Sequence, residues 1–158
     1  MPSVQYGLLN VKPSDTNVLI EKNVTGKKAP VYLSKISRET FDKLKEQMLQ
    51  ILVVGKKYRE RNFSAKKLAE LLGTNTRYVS IVLSVRYHAN YSQFVNKLRI
   101  EEAMAILADP RYVSLRIEEI SDMVGFSNRQ SFYRAFCQYT GETPRQYQEK
   151  YKCDIATE

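Results

Sequence analysis

Asn128, Arg129, Gln130, Tyr133 and Arg134 stand within one seven-residue stretch of the chain. Arginine can set two N–H groups against guanine O6 and N7. Asparagine or glutamine can pair a donor and an acceptor with adenine, and each such bidentate pair discriminates by roughly 1–3 kcal/mol. Phe132, Ala135 and Phe136 are interleaved with these residues at the spacing i, i+3, i+4, which is one apolar face of a helix. The polar set then projects from the other face, with Cys137 beside it. These are the residue types that read base edges, opposite types that fill a core. Arg134 can alternatively hold a phosphate, which positions without specifying. An ordinary solvated helix face is the plain alternative.

The arrangement occurs twice. Val79, Val82 and Leu83 repeat the i, i+3, i+4 spacing, and Thr76, Arg77, Ser80, Ile81 and Ser84 lie off that face. This second candidate surface is poorer in donors, and Ile81 suits either a thymine methyl or simple packing. Tyr78, Tyr87 and Tyr91 read as packing residues rather than stacking platforms. Ahead of each helix stands the same short pattern, Leu68-Ala69-Glu70-Leu71-Leu72-Gly73 and Ile120-Ser121-Asp122-Met123-Val124-Gly125. A polar helix-start residue follows each glycine, Asn75 in one copy and Ser127 in the other. The copies are offset by 52 residues up to the turn and 53 after it, so the second turn holds one extra residue. Two helices joined by a short glycine-containing turn make a helix-turn-helix, whose second helix enters the major groove. Two copies predict a chain that reads two grooves by itself.

Other elements must hold these helices. Phe41, Leu44, Met48, Ile51 and Leu52 form a helical stripe, with Ser37 as N-cap and Glu39 and Asp42 in the positive first turn. That helix should end near Gly55. The basic stretch Lys56, Lys57, Arg59, Arg61 follows, read either as a solvated linker or as a phosphate contact. Ser64 can cap the next helix. A long helix is expected from Tyr91 to Ala108, with Phe94, Leu98, Ala105 and Leu107 inward and Arg99, Glu101 and Glu102 on or near the polar side. Asp109-Pro110 ends it, because a residue before proline avoids the α region. At about 1.5 Å per residue this helix spans roughly 27 Å, a length suited to separating two readers along a duplex. Arg116 to Val124 and Asn128 to Tyr139 form the second pair, Gly141 stops it, and Thr143-Pro144 opens a last helix. Residues 1–34 show no sustained period.

At 158 residues the chain holds one or two small domains, and its net charge of +8 makes nucleic acid the first partner to consider. The charge is uneven: 12 basic and 6 acidic residues over 1–62, 6 and 3 over 63–108, 7 and 8 over 109–158. The second copy must therefore rely on a few placed arginines. Two cysteines, Cys137 and Cys153, and one histidine, His88, supply no zinc-ligand spacing, so no metal and no cofactor is expected. The cysteine usage and the lack of a long apolar run or signal-peptide core point to a soluble, cytoplasmic protein with no membrane partner. No glycine-rich phosphate loop, G-x-S-x-G or evident carboxylate pair argues for an enzyme.

From Leu68 to Tyr147 the residue order resembles the DNA-binding region of the AraC/XylS family of bacterial transcription regulators. The resemblance rests on Ile120, Gly125-Phe126-Ser127, Phe132, Arg134, Phe136, Gly141, Thr143-Pro144 and Tyr147 in the second copy. In the first copy and the joining helix it rests on Leu68-Ala69, Gly73, Val79, Leu83, Arg99-Ile100, Ala103 and Leu107. It implies a seven-helix, two-lobed all-α domain with two helix-turn-helix units bridged by one long helix. It also implies binding of double-stranded DNA as a monomer and contact with RNA polymerase, as in an activator. The chain departs from the pattern at Ile81 and Cys137, where basic residues are frequent, and at Ser121, where alanine is usual.

The expected organisation is an irregular N-terminal arm or linker over 1–35 and a DNA-binding domain over 36–152. That domain divides into a helical lead-in (36–62), a first unit (63–90), a linker helix (91–108) and a second unit (111–152). Base contacts are expected from Thr76, Arg77, Ser80, Ile81, Asn128, Arg129, Gln130, Tyr133 and Arg134. Phosphate contacts are expected at helix N-termini, whose free N–H groups attract anions: Ser64, Lys66, Lys67, Arg116, Thr143 and Arg145. Two other readings stay open, a protein-interaction module of the same fold with weak or lost operator binding, and a sequence-blind DNA architectural protein.

Overall fold

The computed structural model describes residues 37–155. The arm expected over 1–35 and the side chain of Cys153 lie outside the described part. Among the described residues there are seven α-helices and no strand: α1 (Arg38–Leu49), α2 (Ala65–Leu71), α3 (Thr76–Tyr87), α4 (Tyr91–Leu107), α5 (Ile117–Met123), α6 (Arg129–Thr140) and α7 (Pro144–Ile155). Ser37 caps α1, its Oγ accepting from the Thr40 amide at 3.2 Å. The helix does not run cleanly to Gly55 but widens into a π turn over Gln50–Val54. α3 closes on His88, in left-handed conformation with φ 50°.

The described residues fold as two compact units. One comprises 37–48 and 65–91, the other 49–64 and 92–155. The lead-in is thus divided: its helix belongs with the first helix-turn-helix, and the basic stretch after it belongs with the second. Within the first unit Arg86 donates to Asp42 at 2.6 Å and lies over the Phe41 ring, tying α3 to α1.

The core of the second unit is built on α4. Ile100, Ala103 and Leu107 pack with Ile117, Ile120, Val124, Phe126, Phe132 and Phe136. These positions recur every three to four residues along α4, which is why Ala103 is buried while Ala105, expected inward, is exposed. All of α4 after Tyr91 groups with this unit. Arg99, expected near the polar side, is also buried. Its Nε donates to the Tyr58 carbonyl at 2.6 Å and its Nη2 to the Glu60 carbonyl at 3.2 Å, and the guanidinium lies 5.5 Å from the Phe126 ring centre. Glu102, on the same helix, pairs with Arg59 and, at 3.4 Å, Lys56. Burial alone would push the Glu102 carboxyl up, yet the Arg59 guanidinium and then Lys56 outweigh it and hold the carboxyl below its ordinary value.

Segment 56–61 is thereby strapped onto the second helix-turn-helix, and the strap explains Gly125. Gly125 has φ +95°, and a Cβ there would lie 2.2 Å from the Arg59 carbonyl oxygen, with the Arg59 backbone carbon and Cα also inside 3 Å. Its counterpart Gly73 has φ +63° but open space around the missing Cβ. The repeat uses glycine for a left-handed turn in both copies, and for close backbone approach only in the second. Gly73→Ala should cost about 1–2 kcal/mol, the left-handed penalty alone. Gly125→Ala should cost about 4 kcal/mol or more, because backbone cannot step aside as a flexible side chain can. Urea midpoints of the two variants check this, and an equal or larger loss for Gly73→Ala would refute the strap's role.

Candidate nucleic-acid interface

The two candidate reading helices begin alike. Asn75 Oδ1 accepts from the amides of Arg77 (3.0 Å) and Tyr78 (3.3 Å), and Asn128 Oδ1 accepts from the Ser131 amide at 2.8 Å. Asn128, not Ser127, is the N-cap of α6, since the extra turn residue shifts the start by one. The cap commits one Oδ1 lone pair of Asn128 to its own helix and leaves the side-chain N–H groups of this exposed residue without a hydrogen bond among the described residues.

On α6, Phe132 and Phe136 are fully buried, and Asn128, Arg129, Gln130 and Arg134 are exposed, as the spacing requires. Tyr133 is half-buried, edge-on to Phe132 with ring centres 6.1 Å apart. Among the described residues neither Gln130 nor Arg134 makes a side-chain hydrogen bond or ion pair. Arg129 is held: its Nη1 lies 2.9 Å from Glu118 Oε1 on α5, its Nη2 donates to the Tyr133 hydroxyl at 3.4 Å, and its guanidinium sits 5.0 Å from that ring's centre. The Tyr133 hydroxyl and then the Glu118 charge raise its proton affinity further. Cys137 is half-buried.

On α3, Val79, Val82 and Leu83 are buried, Thr76, Arg77 and Ser80 are exposed, and Ile81 is half-buried. Ser80 Oγ donates to the Thr76 carbonyl at 2.9 Å, turning its hydroxyl proton into its own helix. This face offers fewer outward donors than α6, as its composition suggested.

The expected phosphate-contacting ends differ in electrostatics. α2 starts with exposed Lys66 and Lys67 and no acid in its first turn, and Ser64 before it is exposed. α5 starts with Glu118 and Glu119. The Glu119 carboxylate accepts from the Arg116 amide at 2.7 Å and lies 3.5 Å from the Arg116 guanidinium, and the amide above all holds it below its ordinary value. At α7, Thr143 and Gln146 cap each other, with Thr143 N donating to Gln146 Oε1 at 2.9 Å and Gln146 N to Thr143 Oγ1 at 3.3 Å. Arg145 pairs with Glu149 at 3.1 Å. The basic stretch is likewise engaged: Lys57 with Glu60 at 2.5 Å, Arg61 with Asp122 at 2.6 Å, and Arg59 and Lys56 with Glu102. Neither Glu118 as the partner of Arg129 nor Glu102 as the partner of Arg59 and Lys56 is recognisable from the sequence. A charge opposite a candidate arginine is visible in sequence only once the helices are paired in space.

Among the described residues no helix is long and apolar enough to cross a membrane, and no three His, Cys, Asp or Glu side chains cluster to hold a metal. A family model described as a helix-turn-helix domain matches residues 68–150. The chain is 31% identical over 91 residues to the uncharacterized transcriptional regulatory protein YesN of Bacillus subtilis, covering 56% of this chain and 24% of that protein. It is 31% identical over 86 residues to an uncharacterized HTH-type transcriptional regulator of Staphylococcus aureus, covering 54% of this chain and 11% of the other. The match spans a quarter or less of these curated relatives. Among solved structures, the C-terminal domain of the two-component response regulator yesN from Fusobacterium nucleatum superposes with TM-score 0.59 at 26% identity, over 67% of this chain and 98% of that one. A transcriptional regulator from Chromobacterium violaceum, described as containing an AraC-type DNA-binding domain, shares the fold with TM-score 0.59 at 18% identity, over 70% and 96%.

Because Asn128 caps α6, Asn128→Ala should lower stability by about 1 kcal/mol, whereas Gln130→Ala on the same exposed face should change it by less than about 0.5 kcal/mol. Thermal or urea unfolding of the two variants measures the difference, and equal stabilities would remove the capping role.

Proposed function

The chain belongs to the AraC-type helix-turn-helix family, and from that premise we propose that it is a sequence-specific DNA-binding transcription regulator whose α3 and α6 read two adjacent major grooves. The observation that carries the reading is the outer face of α6. Gln130 and Arg134 stand exposed and uncommitted opposite buried Phe132 and Phe136, with Arg129 and Tyr133 beside them. That is a donor-rich surface fixed by a rigid core, the condition for bidentate base readout.

In this reading α6 supplies most of the specificity. Thr76, Arg77, Ser80 and Ile81 on α3 contribute less, because one hydroxyl is turned inward and one member is apolar. Asn128 contributes through its amide N–H groups. Phosphate anchoring falls chiefly to Ser64, Lys66 and Lys67 at α2. Thr143 and Arg145 at the start of α7 are secondary, since Glu149 on the same helix offsets the Arg145 charge. Arg116 is the weakest, because Glu118 and Glu119 beside it oppose a phosphate. The chain acts as a monomer on the DNA, in the cytoplasm, with RNA polymerase as its second partner when it activates. The poor donor set of α3 favours one competing reading, a protein-interaction module that has lost operator binding.

Selection of bound sites from random DNA, followed by binding isotherms at fixed salt, tests the assignment. Arg129→Ala and Arg134→Ala should each lower affinity for the selected site more than Arg77→Ala does, by the roughly 1–3 kcal/mol of one lost base pair contact. A larger loss from Arg77→Ala would reverse the order of the two helices, and no selected site at all would favour the interaction module. The selected site should hold two unequal half-elements about 10 bp apart. Inserting about five base pairs moves one element to the far side of the duplex, so affinity should fall to that of a single unit. Undiminished affinity, or an inverted repeat bound by two chains, would sink the single-chain bipartite model.

A further inference from the structure

The pair between Glu118 and Arg129 has no counterpart in the first repeat. With the repeat's own offsets, Lys66 occupies the place of Glu118 and Thr76 the place of Arg129. Lys66 is exposed and makes no ion pair among the described residues. One unit thus opens with an uncommitted cation at the start of its first helix. The other opens with an anion that engages the arginine of its own reading face, 2.9 Å away.

We propose that Glu118 is a specificity-determining residue: it serves as an internal counter-ion that keeps Arg129 out of phosphate contacts, so that this arginine contributes to binding only at a base edge. The proposal rests on the reading of α6 as the base-reading helix. Affinity for arbitrary DNA comes from basic side chains that neutralise phosphates and release condensed cations. An arginine already neutralised within the protein gains little by exchanging a carboxylate for a phosphate, because one anion replaces another and Glu118 is left facing a negative duplex. A guanine edge differs: O6 and N7 accept two directed hydrogen bonds, and the base carries no net charge to repel Glu118. The latch is weak enough to open. Both side chains are about half exposed, 62% for Arg129 and 48% for Glu118, and exposed pairs hold by no more than about 1 kcal/mol. Tyr133 keeps the guanidinium in place over its ring, so opening the pair needs no large movement of α6. Division of labour follows: the first unit supplies charge-driven affinity through α2, and the second supplies discrimination with little added affinity for random sequence.

The test compares Glu118→Gln, Arg129→Ala, the double variant, and Glu46→Gln, a charge-matched control at an exposed position on α1. Each is titrated with the selected site and with a scrambled duplex over a range of salt concentrations. Glu118→Gln should raise affinity for the scrambled duplex by about three- to tenfold and steepen its log–log salt dependence by roughly one phosphate contact. Affinity for the selected site should rise less, so the specificity ratio falls. In the Arg129→Ala background the Glu118→Gln change should leave the salt slope unaltered, and Glu46→Gln should leave both slope and ratio unaltered. An equal rise on both duplexes with no change of slope, or the same rise without Arg129, overturns the proposal. If Arg129→Ala lowers site preference while Glu118→Gln changes nothing, the counter-ion role alone fails. If neither Arg129→Ala nor Arg134→Ala alters site preference, the base-reading assignment of α6 fails and the proposal with it.

Discussion

The second unit is organised around one buried cation. Arg99 on α4 is almost fully enclosed, and its guanidinium satisfies two backbone carbonyls of segment 58–60 while lying against Phe126. A buried guanidinium tolerates such a place only when its donors are met. That requirement fixes where the segment runs. Once Tyr58 and Glu60 are held, Arg59 falls beside Glu102 and its carbonyl falls against Gly125. The turn between α5 and α6, and with it the start of α6, is therefore set by a stretch of chain that precedes both helix-turn-helix units in sequence.

The two repeats share a plan and differ in its electrical use. Both bury the same positions of the short first helix, Leu68 and Ala69 in one and Ile120 and Ser121 in the other. Ser121 meets the need for a small residue there as Ala69 does. Both begin the second helix on an asparagine cap, and both leave the same first-helix position exposed, Leu71 and Met123. The packing plan is conserved because a short helix pair has few ways to cover one apolar face. Surface charge is under no such constraint, so lysines open α2 while glutamates open α5.

Much of the fold was legible in the sequence for the same reason. Phe132 and Phe136, or Val79, Val82 and Leu83, recur at helical spacing, and that period survives whatever the helices pack against. Ser37, Asn75, Pro144 and Gly141 carry local start and stop chemistry that acts within one turn. The exposed faces of α3 and α6 followed by subtraction from the buried faces. Less legible was the state of each polar group. Arg129, Arg134 and Gln130 look equivalent as letters, yet only Arg129 is engaged, because Glu118 reaches it from another helix. Ser80 and Asn128 look like outward donors, yet one bonds its own helix and the other caps it.

Periodicity and chemistry within a few residues suffice for the seven-helix all-α class, the doubled helix-turn-helix and the opposed faces of α3 and α6, though not for every face of α4, where Ala105 and Arg99 exchange the places their spacing suggests. Packing in three dimensions was needed to make the basic stretch 56–61 a strap rather than a linker, to bury Arg99, to pair Glu102 with Arg59, and to bring Glu118 against Arg129 on the exposed face of α6. Each of these joins residues about ten to more than sixty positions apart. Charge-to-charge and charge-to-carbonyl contacts at that range leave no period in the sequence, because a single pair on an otherwise solvated surface is fixed by how the helices pack and not by the spacing of the residues that form it.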